Sequence, residues 1–144
     1  MTEVTVQEFE LKITKELAAP REDVFAAWTN PDNLKEWISP TGHGATVPLL
    51  EAREGGQYRI DMHGENETYV HTGEYLEFRP PERLVFTWIS PATEQKPSVV
   101  TIDFAEADGG TLLTLTHEKL PNKETTERHL QGWTVIANQL AERL

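Results

Sequence analysis

Cysteine is absent from all 144 residues. The chain therefore holds no disulfide, thiolate metal site, thiol nucleophile or thiol redox switch. A single domain of this length buries roughly 70% of its unfolded surface, so a core can form without such staples. Basic residues are scarce: 13 Lys and Arg face 24 Asp and Glu, a formal charge of -11. That field repels phosphate backbones and anionic lipid, which argues against nucleic acid or a membrane surface as a partner. Its plain consequence is solubility. Long apolar runs are missing too, and no stretch approaches the ~20 residues that span a bilayer. Residues Met1 to Thr5 show no basic segment leading into an apolar one, so no secretion signal is expected. These absences together point to a cytoplasmic protein. Without such a signal, the glycosylation sequon Asn66-Glu67-Thr68 reads as chance.

Catalytic signatures are also lacking. Gly42-His43-Gly44 has no third glycine and does not open a helix after a strand, which excludes a dinucleotide fingerprint. No G-x-S-x-G element supports a hydrolase elbow. His63, His71 and His117, with Glu65 or Glu67, have no spacing that resembles a metal motif, so no metal and no cofactor is expected.

What is present is clear periodicity. Residues 6–17 alternate, with Phe9, Leu11, Ile13 and Leu17 apolar and charged or hydroxyl residues between them, which predicts one strand. Pro20 suits the first position of a helix carrying Val24, Phe25 and Trp28. Asn30-Pro31 reads as the cap and first residue of a second short helix with Leu34, Trp37 and Ile38 inward. Residues 45–52 form a short strand that Pro48 assigns to an edge. Further strands follow at 58–62, 68–79, 84–89, 100–104 and 111–117, broken by Glu54-Gly55-Gly56, Pro80-Pro81, the loop 91–97 and the hairpin turn Asp108-Gly109-Gly110. From Asn122 the period becomes 3.6, with Leu130, Trp133, Ala137, Leu140, Ala141 and Leu144 on one face. A helix of about 21 residues is ~30 Å long and must lie across a sheet. The consecutive strands imply an antiparallel meander.

Strand parity names the inward side chains. They are Tyr58, Ile60 and Met62; Tyr69, His71, Gly73 and Tyr75; Leu84, Phe86 and Trp88; Val100, Ile102 and Phe104; and Leu113, Leu115 and His117. Trp133, Ile136 and Leu140 look back from the helix. A bulge in 68–79 would swap its faces. Any one of these residues is explained by an ordinary core. The mixture is more informative, because buried tyrosine, histidine and tryptophan carry polar tips that need partners. A pocket for an amphipathic molecule uses such a mixture. The ligand-binding candidates are therefore Trp37, Tyr58, Ile60, Met62, His71, Tyr75, Phe86, Trp88, Val100, Ile102, Leu115, His117, Trp133 and Ile136. His71, His117 and Tyr75 are the candidate acid–base groups, set against the commoner role of a buried histidine as a satisfied polar group. Trp28 and Trp37 either staple the small helices onto the sheet or close a cavity mouth, with the glycine-bearing loop Ser39 to Thr46 as a lid.

The ordered motifs resemble one superfamily. They are Ala19-Pro20-Arg21-Glu22 with Val24, Phe25 and Trp28; Asn30-Pro31 through Leu34 to Trp37; Gly55-Gly56 before Tyr58 to Met62; and Gly73-Glu74. Pro80-Pro81-Glu82-Arg83-Leu84 into Thr87-Trp88, Gly110 to His117, and Gly132-Trp133 complete the set. The set is similar to the START-related, birch-pollen-allergen-like superfamily (SRPBCC), and within it to the family named after the C-terminal domain of the heat-shock-chaperone ATPase activator. The resemblance implies an α+β helix-grip fold: a seven-stranded antiparallel sheet curved around a long C-terminal helix, with two short helices after strand 1. It also implies a cavity for an apolar or amphipathic small molecule, since many members enclose one.

Residues 1–144 thus read as one helix-grip domain that binds a small apolar or aromatic ligand without catalysis, in a closed cavity of roughly 300 Å³ or more. One alternative is a polyketide cyclase- or dehydratase-like enzyme. Another is a chaperone-regulating interaction module, which is set back because the chain is expected to lack the chaperone activators' additional N-terminal domain. An exposed sheet edge would allow a homodimer.

Overall fold

In the computed structural model the described residues are 2–7, as backbone alone, and 9–144. The seven expected strands are β2 (Glu10–Leu17), β3 (Ala45–Leu50), β4 (Gln57–His63), β5 (Thr68–Arg79), β6 (Arg83–Trp88), β7 (Ser98–Ala107) and β8 (Gly110–Glu118). An eighth, β1 (Thr2–Gln7), precedes them and pairs antiparallel with β2. The alternation over 6–17 is therefore divided between two strands. The chain reverses at Phe9, whose φ of 65° belongs to a turn and leaves its ring 48% exposed rather than on the buried face. Glu8, which the same alternation covers, lies outside the described residues.

The sheet is antiparallel throughout, in the order β1-β2-β8-β7-β6-β5-β4-β3. β2 and β8 are neighbours, so α1 (Arg21–Thr29) and α2 (Pro31–Leu34) must carry the chain from β2 to the far edge at β3. Asn30 caps α2 by accepting from the backbone N–H groups of Asp32 and Asn33, and Pro31 takes the first helical position. Pro20 sits one residue earlier than expected, as the N-cap of α1. The register of β3 against β4 is irregular between Thr46 and Leu49, around Pro48, as the edge assignment requires.

The long helix α3 (Lys123–Arg143) starts at Asn122, whose side chain accepts from the Thr125 N–H. Its buried Trp133, Ile136 and Leu140 recur at i, i+3 and i+7 and face the sheet. Ile13, Leu113 and Leu115 oppose them from β2 and β8, while Phe25 packs edge-on to Phe78 and against Phe104, both at 5.3 Å.

A bulge between Tyr75 and Glu77 changes the facing of β5. Tyr75 stays inward, Leu76 is 43% exposed, and Phe78 returns to the core. Tyr69 was expected inward but is exposed, with its hydroxyl donating to Glu67 at 2.8 Å. No helix among the described residues is long and apolar enough to cross a membrane.

Candidate functional site

Side chains fill most of the space between sheet and helix. Two internal voids of about 10 Å³ each remain, room for a single water. The larger space is a half-open pocket of about 140 Å³ where the first half of α3 stands over β4, β5 and β6. The closed cavity of several hundred Å³ expected from the sequence is thus replaced by a smaller pocket at one end of the grip. The physical reason is the volume of the inward aromatic rings. Trp28 lies 4.7 Å from Trp37 and 6.2 Å from Trp133, Trp88 lies 5.0 Å from Trp133, and Tyr58 packs on Tyr75, Phe86 and Trp88. Hollows of about 480 and 360 Å³ also lie outside, one over outward residues such as Gln57, Arg59 and Leu76 and one at the β7–β8 turn.

The 140 Å³ pocket has apolar walls from Met62 of β4, Trp88 of β6, Trp133 and Ile136 of α3, Pro40 and Ala92. Gly132 leaves the helix wall without a side chain there. Pro40 is held in place because Gln139 Nε2 donates to the carbonyls of both Trp37 and Ser39 at 2.9 Å. The Thr41 hydroxyl ties the next residue to the His63 carbonyl. The loop that begins at Ser39 is therefore anchored at its start.

Three polar side chains border this pocket: His71, Arg128 and His129. His71 Nδ1 lies 3.1 Å from the Tyr69 carbonyl, and His129 Nδ1 lies 2.7 Å from the Thr125 carbonyl. A carbonyl only accepts, so Nδ1 carries the hydrogen in both rings and Nε2 is left with a lone pair. Burial lowers the His71 pKa to about 4, against the opposing pull of the Tyr69 carbonyl. Burial also lowers His129. Both are neutral acceptors near pH 7. Arg128 is exposed and donates to Glu124 at 2.9 Å.

His117 has a different role. Its Nδ1 accepts from Trp133 Nε1 at 3.0 Å, so the hydrogen is on Nε2, which meets the Ser98 hydroxyl at 2.7 Å. That hydroxyl donates in turn to the Trp88 carbonyl at 2.7 Å. Ser98 and His117 are fully buried, and burial holds His117 well below its ordinary pKa. The ring is a neutral strut linking β6, β7, β8 and α3. His129 stands edge-on to it at 4.9 Å.

Of the fourteen residues expected from the sequence, Met62, His71, Trp88, Trp133 and Ile136 meet at the pocket. Tyr58, Ile60, Tyr75 and Phe86 surround one small void, and Leu115 borders the other. Val100 and Ile102 are plain core. Trp37 is 1% exposed and pinned against Trp28, which is the staple arrangement. The polar tips are mostly turned to structure or left alone. Tyr58 donates to the Thr87 carbonyl at 2.6 Å, whereas the buried indole nitrogens of Trp28, Trp37 and Trp88 have no partner. His129, Arg128, Gly132, Pro40 and Ala92 were not anticipated. His129 had a legible signal, being four residues before Trp133 and seven before Ile136, a titratable side chain on the inward stripe. Among the described residues no cluster of three or more His, Asp or Glu could hold a metal ion.

Comparison with known proteins places this geometry in context. The family described as "Activator of Hsp90 ATPase homolog 1-like protein" matches residues 18–144. No curated protein matches in sequence. Protein CV1439 from Chromobacterium violaceum is 28% identical, with a TM-score of 0.86 over 93% of this chain and 95% of that one. Protein Ms6760 from Mycobacterium smegmatis is 26% identical, with a TM-score of 0.83 over 99% and 96%. CalU16 from Micromonospora echinospora is 22% identical, with a TM-score of 0.75 over 99% and 85%, and shares the fold.

Proposed function

Since the chain belongs to the Activator of Hsp90 ATPase homolog 1-like family, we propose that it uses the helix-grip fold to bind a small apolar or aromatic molecule, without catalysis, in the pocket between α3 and strands β4 to β6. One observation carries this reading. Met62, Trp88, Trp133 and Ile136 converge on about 140 Å³ of space with few polar groups. An apolar cavity of about 150 Å³ accepts benzene, so the occupant is the size of one ring rather than a lipid or a fused polyketide.

The cyclase- or dehydratase-like alternative would rest on His71, the one acid–base candidate among His71, His117 and Tyr75 that borders the pocket. A ring with its pKa near 4 serves as a base and not as an acid near neutral pH.

Toluene is the simplest probe. Its titration into the ¹⁵N-labelled protein is expected to shift the indole N–H signals of Trp88 and Trp133 and the Gly132 amide, saturably and together. Shifts that never saturate, or that spread evenly over the surface, would overturn the pocket as a binding site.

A further inference from the structure

We propose that the pocket selects an aromatic ring bearing a hydroxyl, a phenol-type ligand, with Nε2 of His71 and of His129 as the acceptors. This rests on the pocket being a binding site, and it specifies what the site reads.

The two rings come from opposite walls, His71 from β5 and His129 from α3. Each uses Nδ1 on a nearby carbonyl of its own strand or helix, two residues back for Tyr69 and four back for Thr125. With the hydrogen on Nδ1, Nε2 is the ring nitrogen that carries the lone pair. The other polar groups nearby are committed or differ in kind. Trp133 gives its indole hydrogen to His117. Arg128 gives a hydrogen to Glu124. The Trp88 N–H has no partner, but it is itself buried. The two histidines thus border, from opposite walls, space for one ring. A ketone or an ether brings only lone pairs to the two histidines. A hydroxyl donates to a histidine. Burial keeps both imidazoles neutral at ordinary pH, so the acceptors persist there.

The test compares phenol, anisole and toluene on the wild-type protein by calorimetry, with histidine ¹⁵N spectra at pH 7 as an independent readout. A purely apolar pocket ranks toluene above phenol, because an unpaired hydroxyl prefers water. Two acceptors reverse that order, and phenol is expected to bind about tenfold more tightly than toluene, with anisole below phenol. The spectra are expected to show hydrogen on Nδ1 of both histidines. In H129F and H71F the preference for phenol is expected to fall while toluene still binds. If toluene binds the wild type as well as or better than phenol, the acceptor assignment is overturned and the pocket reading stands. Hydrogen found on Nε2, or an undiminished phenol preference in both variants, overturns the assignment as well. If neither phenol nor toluene binds the folded protein, the pocket reading itself fails and this inference falls with it.

Discussion

Replacing Gly132 with alanine should strengthen the fold and weaken the pocket together. Gly132 lies inside α3, where glycine costs roughly 0.5–1 kcal/mol relative to alanine. A Cβ at this position meets nothing closer than Pro40 Cγ at 3.9 Å, an ordinary van der Waals contact. No strain opposes the gain in helix propensity, so G132A should be more stable by about 0.5–1 kcal/mol, or roughly 3 °C in Tm for a domain of this size. The same methyl enters the wall of a pocket of about 140 Å³. A one-ring ligand has little room to yield, and giving up contact worth one methylene, about 0.8 kcal/mol, weakens toluene about fourfold. Urea denaturation measures the first effect and toluene titration the second. A destabilised G132A would show that the space beside Gly132 is already filled. A stabilised variant with unchanged toluene affinity would move the binding site elsewhere.

Two further outcomes follow from the histidines. His71, His117 and His129 all lie below their ordinary pKa because burial penalises the imidazolium. The unfolded rings gain protons as pH falls through about 6.5 and the folded ones do not, so stability must drop below that point; His71 alone, titrating near 4 in the fold, removes about 3 kcal/mol between pH 6.5 and 4. Urea midpoints measured from pH 7.5 to 4.5 check this, and a flat profile would refute it. Ser98→Ala leaves the His117 Nε2 hydrogen without its acceptor in a fully buried site. It should cost about 1–3 kcal/mol of stability and leave toluene affinity unchanged, whereas a catalytic or binding role for His117 would appear as altered affinity.

The fold was legible wherever a local period sets which face is buried. Tyr58, Ile60 and Met62 alternate and all point inward, and the stripe ending in Trp133, Ile136 and Leu140 has helical spacing and packs on the sheet. It was illegible where a single backbone residue changes the phase. The turn at Phe9 and the bulge after Tyr75 leave the apolar count unchanged while moving Phe9 outward and Phe78 inward. Tyr69 is turned out by a partner two residues away, Glu67, which parity alone does not weigh. The site was harder to read for a different reason. A cavity is the difference between enclosed space and side-chain volume, and both depend on how rings from distant segments nest. Trp28 and Trp37, Trp88 and Trp133 come from three distant segments, yet they pack edge-on or tilted into one array that consumes the space the strand pattern suggested.

The polar tips among the inward residues carry the remaining argument. Taken from the sequence, they all counted toward a ligand cavity. Their partners separate them into two groups. The Tyr58 hydroxyl is used by the sheet, and the His117, Ser98 and Trp133 chain locks α3 to three strands, so these groups bind the protein to itself. His71 and His129 commit Nδ1 to a carbonyl of their own strand or helix and border the pocket, and we propose that Nε2 serves a ligand there. A histidine needed only for structure gains from having both nitrogens paired, as His117 has. Two neutral histidines on opposite walls, beside a helix position kept free of a side chain by Gly132, suit a binding site better than a plain core. That contrast between His117 and the pair, together with the apolar pocket, is why we propose the end of the grip near Pro40 as the binding part of this fold.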